Sequence, residues 1–317
     1  MTLVTVQDIE KARPIIMPHL HRTPMLSATL LGQMLGINLY FKAELFQKSG
    51  SFKPRGALNK LNSLTPEEKA RGVIGVSAGN HAAGLAYASS TMGIKATIVM
   101  PESAIRAKVE ATRAYGATAV LHGGMKDVFP KMHELQAEHN YTLVHPFDDP
   151  LVIAGQGTVG LEILEDIPAP DVVILGIGGG GLISGVATAI KSKHPSTRII
   201  GVEPTGATSM LDSLQQGKPV SASQVKTVAD GLAAPFAGEH TYEHVKAYVD
   251  EVVLVTDEEI IAAMLLIMER SKLFVETAAS AGFAALLHHK VNIAPGSTVV
   301  CVLSGGNIDR ERLKSLL

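Results

Sequence analysis

Short apolar runs separated by longer helical stretches set the rhythm of this chain, and the rhythm is most regular from Gly72 to about Val144. Val73-Ile74-Gly75-Val76 reads as a short buried strand, and Ser77-Ala78-Gly79-Asn80-His81 as a turn. An alanine-rich helix over 82–92 ends at Gly93. A strand over 95–100 is stopped by Pro101, and a helix over 103–115 closes at Gly116. Residues 117–121 form a third strand, 125–139 a helix and 141–144 a fourth strand. Strands alternating with helices predict a parallel α/β sheet. The run is small enough to be a subdomain inserted into a larger body.

The flanks continue the alternation. Thr5 and Asp8 have capping-box spacing and open a helix to about residue 17. Residues 21–24 read as loop and 39–44 as strand. Pro54 suits the first turn of a helix, because the N–H it lacks would have no partner there, and this helix runs to about residue 64. Thr65-Pro66-Glu67-Glu68 starts another. Past residue 150 the pattern gives a helix over 152–165, a strand over 171–175, a glycine loop, and a helix over 182–193. A strand over 198–202 and a helix over 207–216 follow. Residues 217–241 are irregular. A strand over 251–255 then leads into a capping box at Thr256-Asp257-Glu258-Glu259 and a helix to about 271. A helix over 276–290 and a strand over 297–303 complete the pattern.

Composition narrows the class. The 317 residues are 46% apolar and 18% charged, enough for two domains or one large one with a sizeable core. A net charge of -2 favours neither nucleic acid nor an anionic membrane surface. Aromatic residues are 4% and Trp is absent, which argues against a base-stacking surface. The apolar runs are broken by glycine and too short to span a bilayer, and the first residues lack the basic start and apolar stretch of a secretory signal. Cys301 is the single cysteine, so no internal disulfide forms and a reducing, cytoplasmic setting is expected. Its apolar neighbours make it a buried, inert thiol.

The candidate chemistry sits in the turns. Lys53 stands at a helix N-terminus, where the helix dipole disfavours a cation. That lowers the cost of losing its proton, as a Schiff-base lysine must; a solvated lysine at a helix start is the plain alternative. Gly178-Gly179-Gly180-Gly181 lies between a strand and a helix, and its N–H groups can form an anion site. No Lys-Ser/Thr pair follows, so it is not a P-loop. Gly176, Gly178 and Gly181 also fit G-x-G-x-x-G, with Glu203 ending the next strand, so a dinucleotide fold and a nucleotide-dependent oxidoreductase stay open. Ser77 to His81 suits a carboxylate at a helix start, against an ordinary Asn80 N-cap. Ser304-Gly305-Gly306-Asn307 follows the last buried strand, where ligands of open α/β sheets gather. No cluster has zinc spacing and no G-x-S-x-G elbow appears.

Four motifs then occur in one order: Ser51-Phe52-Lys53-Pro54-Arg55-Gly56-Ala57, Ser77-Ala78-Gly79-Asn80-His81, the glycine loop with Leu182, and Ser304-Gly305-Gly306-Asn307. With His145-Pro146-Phe147-Asp148-Asp149 and Ala154-Gly155-Gln156-Gly157-Thr158, the chain resembles the fold-type II pyridoxal phosphate (PLP) enzymes, in their threonine dehydratase and serine racemase branch. The resemblance spans almost the whole chain.

That resemblance implies a tryptophan synthase β-like α/β fold with two open, twisted, parallel-rich sheets flanked by helices. Residues 1–71 and 149–317 would form a large cofactor-binding domain and 72–148 a small mobile one. Lys53 would hold PLP covalently and act as the base, with Phe52 beside the ring. Gly178, Gly179, Gly180, Gly181 and Leu182 would hold the phosphate, Asn80 the ring hydroxyl and Ser304 the ring nitrogen. Ser77, Ala78, Gly79, Asn80 and His81 would hold the substrate carboxylate. The implied reaction is β-elimination of L-threonine or L-serine to 2-oxobutanoate or pyruvate and ammonia. A dehydratase or racemase for another β-hydroxy amino acid, and a non-catalytic amino-acid binder, remain alternatives. Serine racemases carry a second Ser where this chain has Ala78, which argues against racemisation. The family's cation site maps onto Glu203, Ala207 and Ser209, but Ser209 stands in place of an Asp, which weakens the case for a tightly held divalent ion and leaves a monovalent or divalent cation, or none, as the expectation. Glu276-Thr277-Ala278 stands where many relatives have Glu-Pro-Ser. A homodimer or homotetramer and no appended regulatory domain are expected.

Overall fold

The computed structural model describes residues 2–222 and 224–317. Its strands in the first half are β1 (Met25–Ser27), β2 (Asn38–Ala43), β3 (Val73–Val76), β4 (Ala96–Met100) and β5 (Thr118–Leu121). Then come β6 (Thr142–Leu143), β7 (Val172–Gly176), β8 (Arg198–Pro204), β9 (Glu251–Val255) and β10 (Thr298–Leu303). They build two sheets. One is six-stranded in the order β1-β2-β10-β7-β8-β9, and the other four-stranded in the order β5-β4-β3-β6. Only the edge strand β1 runs antiparallel to its neighbour; the other pairings are parallel. The expected α/β architecture with two sheets and flanking helices is therefore present.

Parallel strands are joined by helices that cover both faces, so their sequences are continuously apolar. Val172 to Leu175 and Val299 to Leu303 are buried without alternation. The helix Thr277–Leu287 lies against this sheet, with Phe283 meeting Phe41 edge-on at 5.8 Å. The smaller sheet shares its core with the helices Val6–Ile16 and Lys53–Asn62, through Ala12, Ile16, Leu58 and Leu61. The two bodies are thus in contact across the helix that begins with Lys53.

Several elements differ from their sequence pattern. β1, the helix Thr29–Leu35, the helix Glu239–Tyr248 and the C-terminal helix Arg310–Leu316 have no counterpart in it. The helix expected from residue 103 starts at Arg106, and that expected from 125 starts at Val128. Asn80 is not an N-cap: Gly79 holds that position and Asn80 opens the helix Asn80–Thr91.

A buried ion network fastens the lysine helix. Arg55 is 1% exposed and donates to both oxygens of Glu44 at 2.8 Å and to Glu162 at 2.7 and 2.9 Å. Lys42 Nζ reaches Glu162 at 2.6 Å, and the Thr23 hydroxyl reaches Glu44 at 2.5 Å. Burial opposes the charge on Arg55, but the two carboxylates outweigh it and raise its pKa. Two cations and two carboxylates balance, so the group is stable only as a set. Removing one member leaves an uncompensated buried charge. Arg55→Met is expected to lose about 3–5 kcal/mol of unfolding free energy in urea titration; a loss below about 1 kcal/mol would show that the network carries no weight.

Candidate active site

The turns singled out in the sequence converge at the carboxyl ends of the strands. The chain leaves β2, makes a tight turn through Ser49 (φ 61°) and Gly50 (φ 74°), and enters the helix with Lys53 as its first residue. Two contacts fix this entry to the end of β10: Phe52 donates its N–H to the Ser304 carbonyl at 3.1 Å, and Ser51 pairs with Gly305 as an antiparallel bridge. From the other side, the helix Asn80–Thr91 presses on Lys53 through Gly84, where a Cβ would stand 2.7 Å from the lysine Cβ. Glycine is required there by close approach. Lys53 Nζ donates to the Pro146 carbonyl at 2.8 Å and lies 5.1 Å from the Phe52 ring centroid. Burial pulls its pKa down to about 8, against the attraction of Glu276. Burial is thus a cause beyond the helix dipole that the sequence pointed to.

The glycine loop follows β7. Among the described residues, the backbone N–H groups of Gly178, Gly179, Gly180, Gly181 and Leu182 donate to no protein acceptor. Two constraints require glycine here. Gly180 has φ +88°, and its Cβ would meet Thr241 and Met210 at 2.9 Å. A Cβ on Gly179 would strike the Phe147 ring, which packs against the loop with His145 and Phe236 around it. Orphan N–H groups at a helix N-terminus form an anion cradle.

The second turn leaves β3. The Ser77 hydroxyl accepts from the Gly79 N–H at 3.0 Å, while the N–H groups of Ala78, Asn80 and His81 donate to no protein acceptor among the described residues. His81 turns its ring away: Nε2 lies 3.0 Å from the Val144 carbonyl, and burial with the nearby Lys53 lowers its pKa to about 3. The ring is neutral and structural, and only its backbone faces the cleft.

Asn80 connects the two bodies. Its Nδ2 donates to Glu276 Oε1 at 2.6 Å, and its Oδ1 accepts from Asn307 at 2.8 Å. One N–H and one lone pair of the amide remain for a ligand. Glu276 also accepts the Asn307 backbone N–H at 3.1 Å. It is buried, 4% exposed. Burial, then the like charge of Asp230, pushes its pKa up to about 7. Asp230 and its partner Lys108 carried no sequence signal, because each is an ordinary surface charge until the two bodies meet. The Ser304 hydroxyl makes no bond to the protein among the described residues.

This donor set fits PLP: an amine that deprotonates near neutral pH, N–H groups for a phosphate and a neutral hydroxyl for a ring nitrogen. The cation set does not fit a divalent ion. Both Glu203 oxygens are taken by the N–H groups of Met210 and Leu211 at 2.9 Å, at the start of the helix Ser209–Gln216. Burial raises the Glu203 pKa to about 7. Ala207 and Ser209 add no carboxylate, and no group of three metal-ligating side chains exists among the described residues. Cys301 is buried as expected, and burial raises its pKa.

Comparison with known proteins agrees with this geometry. Residues 16–305 match the family described as pyridoxal-phosphate dependent enzyme. A catabolic L-threonine dehydratase of Staphylococcus aureus is 46% identical over 319 residues, covering 99% of this chain and 92% of that one. An L-threonine ammonia-lyase of Thermotoga maritima is 45% identical over 99% of this chain and 78% of its own. The solved structure of maize serine racemase superposes with a TM-score of 0.94 at 39% identity, covering 99% and 97% of the two chains.

Incubation with PLP followed by borohydride is expected to place one stable adduct on Lys53, seen by peptide mass spectrometry. Gly180→Ala should weaken PLP binding at least about tenfold, because the left-handed backbone and the contact with Thr241 both resist a methyl group. An adduct on another lysine, or unchanged affinity, would contradict the site.

Proposed function

The chain belongs to the pyridoxal-phosphate dependent enzymes, and we propose that it is an L-threonine/L-serine ammonia-lyase, yielding 2-oxobutanoate or pyruvate and ammonia. The observation that carries this is the convergence of one low-pKa amine with two turns of unpaired backbone N–H groups, one suited to a phosphate and one to a carboxylate. The whole-length identity to L-threonine dehydratases supports the side-chain class.

Bound PLP supplies an electron sink at the substrate Cα and, through its phosphate, an acid for the departing hydroxyl. Gly178 to Leu182 would hold the phosphate through their N–H groups. Phe52 would pack beside the ring, the free half of the Asn80 amide would serve the ring hydroxyl, and Ser304 the ring nitrogen. A neutral Ser304 partner does not force that nitrogen to carry a proton, which suits prompt elimination. Ala78, Asn80 and His81 hold the substrate carboxylate with their N–H groups, Ser77 shapes the turn, and Gly79 leaves room for the approach. Neutral Lys53 Nζ takes the α-proton. The β-hydroxyl leaves as water, and the released enamine takes up water to give the 2-oxo acid and ammonia.

Residues 72–148 act as a small domain that closes on the cleft and excludes water. The enzyme works as a homodimer or homotetramer in the cytoplasm, where the buried thiol of Cys301 stays reduced. Racemisation is not part of this reading, since the Ala78 methyl offers no proton to the face opposite Lys53.

A panel of β-hydroxy amino acids scored for 2-oxo acid release is expected to show turnover of L-threonine and L-serine. Lys53→Ala should lower it at least about 10³-fold, given the worth of a positioned base and covalent attachment together. L-serine should give no appreciable D-serine by chiral chromatography. Efficient D-serine formation, or release from neither amino acid, would sink the proposal.

A further inference from the structure

One ion pair joins residues 72–148 to the rest of the chain among the described residues. Lys108 Nζ, on the helix Arg106–Ala114, lies 2.5 Å from Asp230 Oδ2 across 122 residues of sequence. Asp230 belongs to a hydrogen-bonded turn beside the glycine loop. Ala229 donates to Thr227 Oγ1, which with the Val228 N–H is held by Asp257. The carbonyl of Gly231 packs on Gly178, and a Cβ on Gly231 would stand 3.7 Å from Glu276 Oε1. Any ligand held by both Ser77–His81 and the glycine loop lies between the two bodies that this pair connects.

We infer that Lys108 and Asp230 form a latch that holds the small domain against the glycine-loop wall, and that both are positioning residues for the reaction. The inference rests on the proposed reading of the site as one that binds an amino acid between the domains. Closure brings the carboxylate turn and Lys53 to the same substrate. The pair is suited to reversible use because Asp230 is 57% exposed and Lys108 18%. A pair so open to water shifts a two-state balance by only about two- to fivefold, enough to favour closure without trapping product. Its second effect is local: Asp230 raises the pKa of Glu276 while Lys108 lowers it, so closing the latch delivers a cation to the neighbourhood of the carboxylate that orients Asn80.

The test uses the holoenzyme and two readouts. Amide hydrogen exchange over residues 77–81 and 106–115, measured without substrate, reports closure independently of turnover. Lys108→Met should raise exchange about two- to fivefold. Lys108→Arg should match wild type, and the reversed pair Lys108→Asp with Asp230→Lys should return towards it. With L-threonine, Lys108→Met should raise KM by the same factor with kcat little changed. Rising salt should raise KM in wild type but not in Lys108→Met. Unchanged exchange in Lys108→Met, or no recovery in the reversed pair, overturns the latch. Exchange that responds while no β-hydroxy amino acid is turned over supports the latch and overturns the functional reading instead.

Discussion

An amine can attach a cofactor and take a proton near neutral pH only if it gives up its own proton readily, and the partial burial of Lys53 brings its pKa down to about 8. Desolvation penalises the charged form of a lysine. The placement is enforced from three directions. The Phe52–Ser304 bond pins the chain before it, Gly84 lets a second helix press on its Cβ, and the Arg55 network anchors the helix after it. Each contact comes from a different part of the sequence, so the state of one amine depends on the closure of the whole fold.

The rest of the site is arranged around that readily deprotonated amine with few side-chain charges. The free donors around it are backbone N–H groups at two helix starts, which carry fixed partial charges suited to anions without another lysine to compete with Lys53. The carboxylate that acts on Lys53 is Glu276, which keeps part of its proton near neutrality because burial and Asp230 oppose its ionisation. A fully ionised carboxylate there would stabilise the ammonium form of Lys53, so the raised pKa of Glu276 and the lowered pKa of Lys53 serve the same end.

Local chemistry was legible in the sequence, and long-range chemistry was not. Pro54 placed Lys53 at a helix start, the ordered motifs identified the family, and the capping boxes at Thr5, Thr65 and Thr256 are all formed. The helix Glu239–Tyr248 escaped because Gly238 supplies no cap. Asp148, 91 and 93 residues away, accepts the N–H groups of Glu239 and Thr241 instead. Glu203 similarly serves the helix at Ser209 from the end of β8, so a residue matched to a cation site proves to be a helix cap. The glycine loop was read as a phosphate cradle, but the Phe147 ring and the backbone of Gly180 require glycine independently of any phosphate. Each of these contacts joins distant stretches, and local periodicity holds no record of them.

The state of Lys53 is directly measurable. With side-chain-labelled lysine in the cofactor-free protein, NMR titration should show one lysine changing charge near pH 8 while exposed lysines titrate near 10.4. That resonance should vanish in Lys53→Arg. The amine should be protonated below its pKa and neutral above it, so its signal moves between about pH 7 and 9. A Lys53 that titrates with the exposed lysines would contradict the account at its centre.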